Sequence, residues 1–289
     1  MTLETGTIYF FEQRKAEIPE AVSLFGFPVS LYGVCLLLAA AAGVFASLRE
    51  GRRRKQDKEL TLTLLCLAIL SALIGARVYY AVFQWYPFSK FPLSVLNFRI
   101  GGFAYFGALI GSWFIVRHYC HRKAEDFERA ADVLCVGASV SAVFVWIGCA
   151  LAREPVGRFY DGIFSVRIGT EYLPHEADGA LTEELLNHVY RINDGEYISI
   201  HPVALYGVLS GILILIAIRI AKHFIKQSGK LFLLYLFLNA VSCLVLEVFR
   251  ASRCRIWGTE IPINSLVAAV VIFVLAAGEL RHRLKRKVK

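Results

Sequence analysis

Several ionisable side chains stand within or beside long apolar blocks, where a charge is costly and needs a reason. Glu247 and Arg250 are three residues apart, which places them on one face of a helix near the end of such a block. Arg253 and Arg255 follow directly, so three guanidinium groups collect at one boundary. Because arginine can bind phosphate in bidentate fashion, the group is suited to a phospholipid headgroup. We therefore predict a phosphate-binding site there.

Three further places could carry chemistry, and each has two interpretations. Arg77 lies toward the end of an apolar block, where it either snorkels to the headgroups or clamps a phosphate. Arg153 and Glu154 stand where a proline and a glycine should end a helix, as an exposed ion pair or as part of a site. His201 opens another apolar block, as a satisfied boundary residue or as a base.

The stretch Gly101–Gly111 is rich in glycine. Small residues allow two helices to pack closely; alternatively, the backbone there approaches a ligand or breaks its helix. The sequence contains no metal-ligand constellation, P-loop, GxSxG or HExxH motif, so it predicts no metal and no cofactor.

The elements that position these residues are predicted to be membrane helices. Hydrophobic residues make up 57% of the 289 residues and charged residues only 19%, which argues against an ordinary soluble domain. The apolar residues fall in blocks about 20 residues long, enough to cross the hydrocarbon core. Seven spans are predicted: 28–48, 60–83, 101–116, 131–151, 202–220, 231–249 and 261–280. The expected fold is an all-α integral membrane protein with a single domain over residues 1–289.

The orientation follows from lysine and arginine in the short loops, which mark the cytoplasmic side. The segments 49–58, 117–123, 219–230 and 281–289 are all basic, whereas those between them are less so or carry compensating acids. The amino terminus is therefore predicted outside and the carboxyl terminus in the cytoplasm. This placement explains the net charge of +9 through the lipid bilayer, with no need for nucleic acid.

Two segments lie outside the predicted spans. Residues 1–27 lack the apolar core of a signal peptide and are expected at the membrane surface or as a soluble tail. The external insertion, about 152–200, is expected to form a small cap with an alternating run over Gly162–Ile168 and a helix over Thr182–Tyr190. Four of the seven cysteines lie in apolar blocks without a CxxC pair, so we expect buried free thiols.

In this order and spacing, the motifs resemble those of the prolipoprotein diacylglyceryl transferase family of the bacterial inner membrane. The matching segments are Tyr32-Gly33, Gly75-Ala76-Arg77, Gly101–Gly111, Asp132, Gly148 with Glu154, Gly157 and Arg158, His201-Pro202 with Leu205-Tyr206, and Glu247-x-x-Arg250. The resemblance implies transfer of a diacylglyceryl group from phosphatidylglycerol to the lipobox cysteine in the signal peptide of a preprolipoprotein, with release of glycerol phosphate.

The resemblance and the outward-facing clusters together suggest roles for particular residues. A base must take the proton of the incoming thiol, and guanidinium groups must stabilise the departing phosphate. The expected catalytic residues are Glu154, His201, Arg153 and Glu247. The expected substrate-binding residues are Tyr32, Arg77, Gly102, Tyr105, Gly157, Arg158, Tyr206 and Arg250.

Four positions depart from the family pattern. Trp146 stands where the family has arginine, Cys149 where it has asparagine, Phe106 where it has histidine or tyrosine, and Cys243 where it has arginine. Arg153 is expected to place a guanidinium in the space left at Trp146, and Arg250 or Arg253 is expected to do so for Cys243. The departures keep open a second interpretation, a non-catalytic or altered-donor relative that binds lipid or signal peptide. A seven-span solute transporter is a third, although no repeat is visible.

Overall fold

Among the residues that the structure describes, seven α-helices overlap the seven predicted apolar blocks. The computed structural model describes residues 5–10, 14–19, 21–24, 27–83, 85, 88–89, 91–97, 102–170, 185–192, 195–251 and 262–287, with side chains at 30–191 and 196–279 within these ranges. The helices are α1 (Leu31–Arg53), α2 (Lys58–Phe83), α3 (Tyr105–Lys123), α4 (Phe127–Leu151), α5 (Val203–Phe224), α6 (Lys230–Phe249) and α7 (Ile263–Lys287). A short 3-10 helix spans Pro92–Leu96.

Five of these helices, α1, α2, α4, α5 and α6, are long and apolar enough to cross a membrane. The chain is therefore a mostly helical, multi-pass membrane protein. Several boundaries lie a few residues from the approximate predicted ones, as at the first and third blocks. The first block was predicted from Pro28, but Pro28 belongs to a strand and α1 begins at Leu31. The third was predicted to end at Val116, whereas α3 continues to Lys123.

The described residues also form seven short strands. They are β1 (Thr5–Phe10), β2 (Arg14–Pro19), β3 (Ala21–Leu24), β4 (Phe27–Ser30), β5 (Val166–Gly169), β6 (Val189–Ile192) and β7 (Gly195–Ile200). An antiparallel sheet has the order β2-β1-β5-β7-β6, and β3 pairs with β4. The amino-terminal strands were not predicted, because the pairing of β1 with β5 joins segments more than 150 residues apart.

The two predictions for the insertion had different outcomes. The alternating run over Gly162–Ile168 is confirmed in its second half, where β5 begins at Val166. The helix predicted over Thr182–Tyr190 was wrong at its end, because Val189 and Tyr190 belong to β6 and pair with β7. Thr182 itself lies outside the described residues.

The chain divides into two compact units. The first consists of Met1–Ala42, Val140–Leu215 and Val245–Arg253, and the second of Gly43–Ser139, Ile216–Leu244 and Cys254–Lys289. In the first unit, a hydrophobic core joins the sheet residues Val166, Ile168 and Ile198 to Val156 and Ala251. This core fixes the segment after α4 against the end of α6.

In the second unit, glycines set the distance between α2 and α3. A Cβ atom on Gly107 would lie 2.4 Å from the carbonyl oxygen of Gly75, and one on Gly111 would lie 2.5 Å from that of Ser71. The close-packing interpretation of the glycine-rich stretch is therefore correct for Gly107 and Gly111.

Two buried carboxylates tie helix ends together in the second unit. Asp132 accepts hydrogen bonds from Arg54 Nη1 at 2.9 Å and from the backbone N–H of Phe232 at 2.8 Å, near the start of α6. Glu50 accepts from Lys222 Nζ at 3.0 Å. The ends of α1 and α5 thus lie beside the starts of α4 and α6.

The cysteines that the structure describes are all free thiols. Cys35, Cys120 and Cys135 are buried as expected, whereas Cys66 is exposed. The expectation of buried thiols therefore holds for only part of the set.

Candidate functional site

The end of α4 places Arg153 in an unusual backbone conformation. The Arg153 N–H bonds to the carbonyl of Ala150 at 3.3 Å, and the Glu154 N–H bonds to that of Cys149 at 3.0 Å. These two bonds form a Schellman motif, whose left-handed residue is most often glycine. Arg153 occupies that position with φ of 59°. Glycine adopts this region without the steric cost that a side chain brings.

The Arg153 side chain is buried, and it lines the same cleft as His201. The cleft has a volume of about 60 Å³, and Ala150, Pro202 and Leu205 also line it. Arg153 is only 8% exposed. Arg153 and His201, separated by 48 positions in the chain, thus both line one small cleft in the first unit.

The segment Val156–Tyr160 brings these groups together by pairing on both sides. On one side, the Arg158 N–H bonds to the Phe249 carbonyl at 2.8 Å. On the other, the His201 N–H bonds to the Arg158 carbonyl at 2.9 Å. Gly157 is required at this crossing, because a Cβ atom there would lie 2.1 Å from the His201 carbonyl oxygen.

Aromatic groups hold the His201 ring. It stacks on Tyr160 with ring centroids 4.1 Å apart and planes at 10°, and it meets the ring of Phe249 edge-on at 5.1 Å. Its Nδ1 lies 3.3 Å from the hydroxyl of Tyr206. Burial lowers the pKa of His201, because an apolar environment disfavours the imidazolium form. The neutral ring that a general base requires is therefore favoured.

The ionic groups of the first unit differ in exposure. Glu247 is 3% exposed and accepts a hydrogen bond from Arg250 Nη1 at 3.4 Å, so the predicted pair on one helical face is confirmed. The Arg158 and Glu154 side chains are exposed, although the backbone of Arg158 lies at the centre of the paired segment. Arg253 and Arg255 lie outside the described residues.

Tyr32 stands beside the end of α4. A Cβ atom on Gly148 would lie 3.1 Å from the Tyr32 ring, so this glycine lets α1 approach α4. Nine of the twelve predicted site residues thus belong to the first unit: Tyr32, Arg153, Glu154, Gly157, Arg158, His201, Tyr206, Glu247 and Arg250.

Arg77, in the second unit, is turned into the protein. Its side chain is 2% exposed and donates to the backbone carbonyls of Ser94, Val95, Asn97 and Gly102 at 2.8–3.1 Å. The guanidinium also lies over the Phe88 ring, 4.9 Å from its centroid. The snorkelling interpretation was therefore wrong. The guanidinium instead binds backbone carbonyls that lie between α2 and α3.

Gly102 and Tyr105 also lie in the second unit. Gly102 has φ of +79°, and a Cβ atom there would lie 2.5 Å from the Tyr80 ring, so only glycine fits. The Tyr105 hydroxyl lies 3.4 Å from that of Tyr235.

Sequence reasoning missed two contacts of the His201 ring. Tyr160 stands in a loop without periodicity, and Phe249 was one apolar residue among many at the end of a span. Neither position carried a signal that could have been recognised, because both are brought to His201 by the pairing of the 156–160 segment.

Comparison with known proteins shows where this arrangement belongs. The sequence model of the prolipoprotein diacylglyceryl transferase family matches residues 19–279. The chain belongs to this family. Relatives named phosphatidylglycerol–prolipoprotein diacylglyceryl transferase occur in Lactobacillus delbrueckii subsp. bulgaricus, 28% identical over 89% of this chain and 90% of the relative, and in Bacillus mycoides, 29% identical over 88% and 89%. A Bacillus cereus relative of the same name is 27% identical over 92% and 94%.

Two departures from the transferase pattern lie beside each other in the second unit. Phe106 is buried in a hydrophobic cluster with Ala240 and Ala268, and Cys243 packs against the same cluster. Phe106 and Cys243, at two positions that are polar in the family pattern, thus contact one apolar cluster. Neither side chain carries a charge that would need a partner there.

The departure at Trp146 has a different physical basis. A Cβ atom on Gly207 would lie 2.2 Å from the indole ring, so Trp146 packs directly on the backbone of α5. The indole therefore fills the space at position 146 in which the guanidinium of Arg153 was expected. Arg153, near the end of the same helix, presents its guanidinium to the cleft with His201.

Proposed function

We propose that this protein catalyses transfer of a diacylglyceryl group from phosphatidylglycerol to the lipobox cysteine of a preprolipoprotein, the first step of lipoprotein maturation. Membership of the family and the names of the relatives support this activity. The observation that carries the chemistry is the shared cleft of Arg153 and His201. Because both residues line this cleft, it supports a role for Arg153 in phosphate binding and for His201 as a neutral base.

The reaction requires one bond to form and one to break. The peptide thiol gives its proton to His201. The sulfur attacks the carbon of the diacylglyceryl group that is bonded to the phosphate oxygen. A C–S bond forms, the C–O bond to the phosphate breaks, and the electron pair stays on the oxygen of the departing glycerol phosphate. Because negative charge grows on that oxygen, donors placed around it lower the barrier.

The arginines of the first unit fit the departing phosphate. Arg153, which lines the cleft with His201, supplies one guanidinium, and Arg250 supplies a second one, held by the buried Glu247. Arg158 contacts the phosphate from the exposed side. Glu154, also exposed, acts as a second base or orients the peptide.

Hydroxyl and glycine residues complete the assignment. Tyr32 and Tyr206 donate hydrogen bonds to the lipid, and Gly157 allows the chain beside His201 to approach closely. Arg77 has a positioning role, since its carbonyl bonds order the segment that contains Gly102. Substrate contacts of Arg77, Gly102 and Tyr105 remain predictions.

The membrane arrangement follows from charge and length. We infer seven spans in a single bacterial inner-membrane domain, with the amino terminus and the 152–200 insertion outside and the carboxyl terminus in the cytoplasm. Phosphatidylglycerol and the signal peptide would then reach the nine residues of the first unit from the outer side. A non-catalytic relative is less well supported, because the relatives from Lactobacillus delbrueckii, Bacillus mycoides and Bacillus cereus carry the transferase name.

An in vitro transfer assay tests this proposal. The full-length protein in detergent is mixed with phosphatidylglycerol labelled in its acyl chains and a lipobox peptide, and label on the peptide is measured. A matched peptide has serine in place of the lipobox cysteine. We expect label on the cysteine peptide and none on the serine peptide. Binding of lipid or peptide without transfer by the folded protein would instead identify a non-catalytic relative. Transfer from phosphatidylethanolamine alone would identify a different donor.

A further inference from the structure

A second cleft lies where α3 ends and α4 begins, within the second unit. Its volume is about 500 Å³, and its walls include Trp113, Phe114, Arg117 and His121. None of these residues has a part in the transfer reaction described above. We refer to it as the α3–α4 cleft.

One face of α3 supplies most of this cleft. Arg117 and His118 are three and four residues after Phe114 and four and three residues before His121, so these side chains project on the same side of the helix. Phe127, at the start of α4, forms the opposite wall. The cleft therefore combines aromatic rings with cationic or ionisable nitrogen groups.

Arg117 is held by rings and by no acid. Its guanidinium carbon lies 5.8 Å from the Trp113 ring centroid and 5.4 Å from that of Phe127. The two rings themselves meet edge-on, with centroids 6.5 Å apart. In the part of the chain that the structure describes, no carboxylate forms an ion pair with Arg117. Cation–π contacts orient the guanidinium and leave its N–H groups able to donate to a ligand.

The charge around the cleft favours an anion. Glu125 is the one acidic residue in the lining, whereas the last turn of α3 adds Arg122 and Lys123 to His121. Trp113 and Phe114 are 42% and 62% exposed on the flank of an apolar helix. A tryptophan beside basic residues at a helix end is typical of the boundary between hydrocarbon and headgroups. An anion that also has acyl chains fits both the rings and the charge.

We propose that the α3–α4 cleft binds the phosphate of an anionic phospholipid from the leaflet that faces the basic loops. Arg117 donates to the phosphate, and Trp113 and Phe114 contact the first carbons of the acyl chains. The lysine and arginine distribution assigns this end of α3 to the cytoplasm. The binding is independent of the transfer reaction, because its residues are not part of the assigned site.

Photolabelling of the full-length protein tests the proposal. The protein is reconstituted in phosphatidylcholine nanodiscs that contain a small fraction of phosphatidic acid with a diazirine near the start of one acyl chain. After illumination, labelled peptides are mapped by mass spectrometry. A matched experiment uses phosphatidylcholine with the same diazirine. We expect the peptide around Trp113 and Phe114 to be labelled preferentially by phosphatidic acid. Equal labelling by the two lipids would overturn the proposal.

Two variants make the test specific. Arg117→Gln should reduce the labelling by phosphatidic acid about five-fold, the effect of one basic residue at a membrane surface. Arg117→Lys, which keeps the charge, should retain part of it. The control is Arg129→Gln, because Arg129 pairs with Asp126 at the same end of α4 but does not line the cleft. Unchanged labelling of a folded Arg117→Gln variant would contradict the assignment, as would an equal loss in the control.

Discussion

At the scale of single residues, Arg153 links backbone conformation to chemistry. Its left-handed conformation is one that glycine adopts without a steric cost, yet the position holds a long cationic side chain directed into the cleft with His201. Stability alone would favour glycine there. Retaining arginine at such a position is the kind of conflict that functional sites contain.

The first prediction separates the two roles of Arg153. Arg153→Gly should relieve the left-handed conformation, a gain of about 1 kcal/mol. This gain offsets the packing lost with the side chain, so the protein should be at least as stable. Transfer should fall about 10²-fold to 10³-fold, the loss typical for one donor to a developing oxyanion. Thermal unfolding and the transfer assay measure the two effects.

Ala124→Gly provides the matched control for Arg153. Ala124 also ends a helix in the left-handed region, with φ of 55°, but it ends α3. We expect a similar gain in stability and unchanged transfer. Full transfer by Arg153→Gly would remove Arg153 from the mechanism.

The second prediction concerns pH. Burial lowers the pKa of His201, so the ring stays neutral over most of the physiological range and is protonated only as the pH falls through that lowered value. The transfer rate should therefore decrease on the acid side, with a midpoint below the ordinary pKa of histidine. His201→Gln should lower the rate about 10²-fold or more and abolish this acid limb.

His188→Gln is the control for the pH profile. His188 stacks on Phe159 with centroids 4.0 Å apart and does not line the cleft. Its substitution should leave the acid limb in place. An acid limb that survives in His201→Gln would assign the base to another group, with Glu154 the next candidate.

At the scale of elements, helix contacts explain how the chain accommodates its departures from the family pattern. The indole of Trp146 lies against Gly207, so the contact between α4 and α5 requires a glycine at position 207. Phe106 and Cys243 form a second such accommodation beside one apolar cluster. In each case a position that is polar in the family pattern has become part of a packed interface.

The third prediction tests the contact between Trp146 and Gly207. Gly207→Ala places a Cβ atom within 2.2 Å of the indole and should destabilise the protein by about 1–3 kcal/mol through overpacking. Gly211→Ala is the control, because its Cβ would lie 3.6 Å from the same ring, at an ordinary contact distance. Thermal unfolding in detergent should show a lower midpoint for the first variant only.

A double variant checks the cause. Adding Trp146→Leu to Gly207→Ala removes the ring that the new Cβ would meet, and should recover part of the lost stability. Additive losses in the double variant would show that the two residues do not act through this contact.

At the scale of the whole molecule, the number of crossings determines which loops share a side of the membrane. Five helices meet the length and hydropathy of a span, and α3 and α7 are the remaining two. The seven-span arrangement requires α3 to cross. The segment before α3 and the turn after it would then lie on opposite sides.

The fourth prediction measures this arrangement with single cysteines in a background in which the seven native cysteines are replaced. Leu93→Cys, at a position that is 81% exposed, should react with a membrane-impermeant maleimide applied from outside. Ala124→Cys should react only after the membrane is opened. Reaction of both from the same side would show that α3 does not cross.

The sequence by itself determined the helices and the types of residue in the site. Hydrocarbon thickness sets the length of a span, so apolar runs identify helices without knowledge of their neighbours. The same reasoning located Glu247 with Arg250, because residues three apart share a helical face whatever surrounds them.

Only the tertiary structure decided which of these residues meet. His201 and Arg153 face one cleft because the segment between Val156 and Tyr160 pairs with chain from two distant regions. Arg77 donates to carbonyls rather than reaching the headgroups, and β1 joins the larger sheet by pairing with the distant β5. Such contacts depend on backbone groups, which every residue carries. The pattern of side chains along the sequence therefore does not show which backbone groups pair.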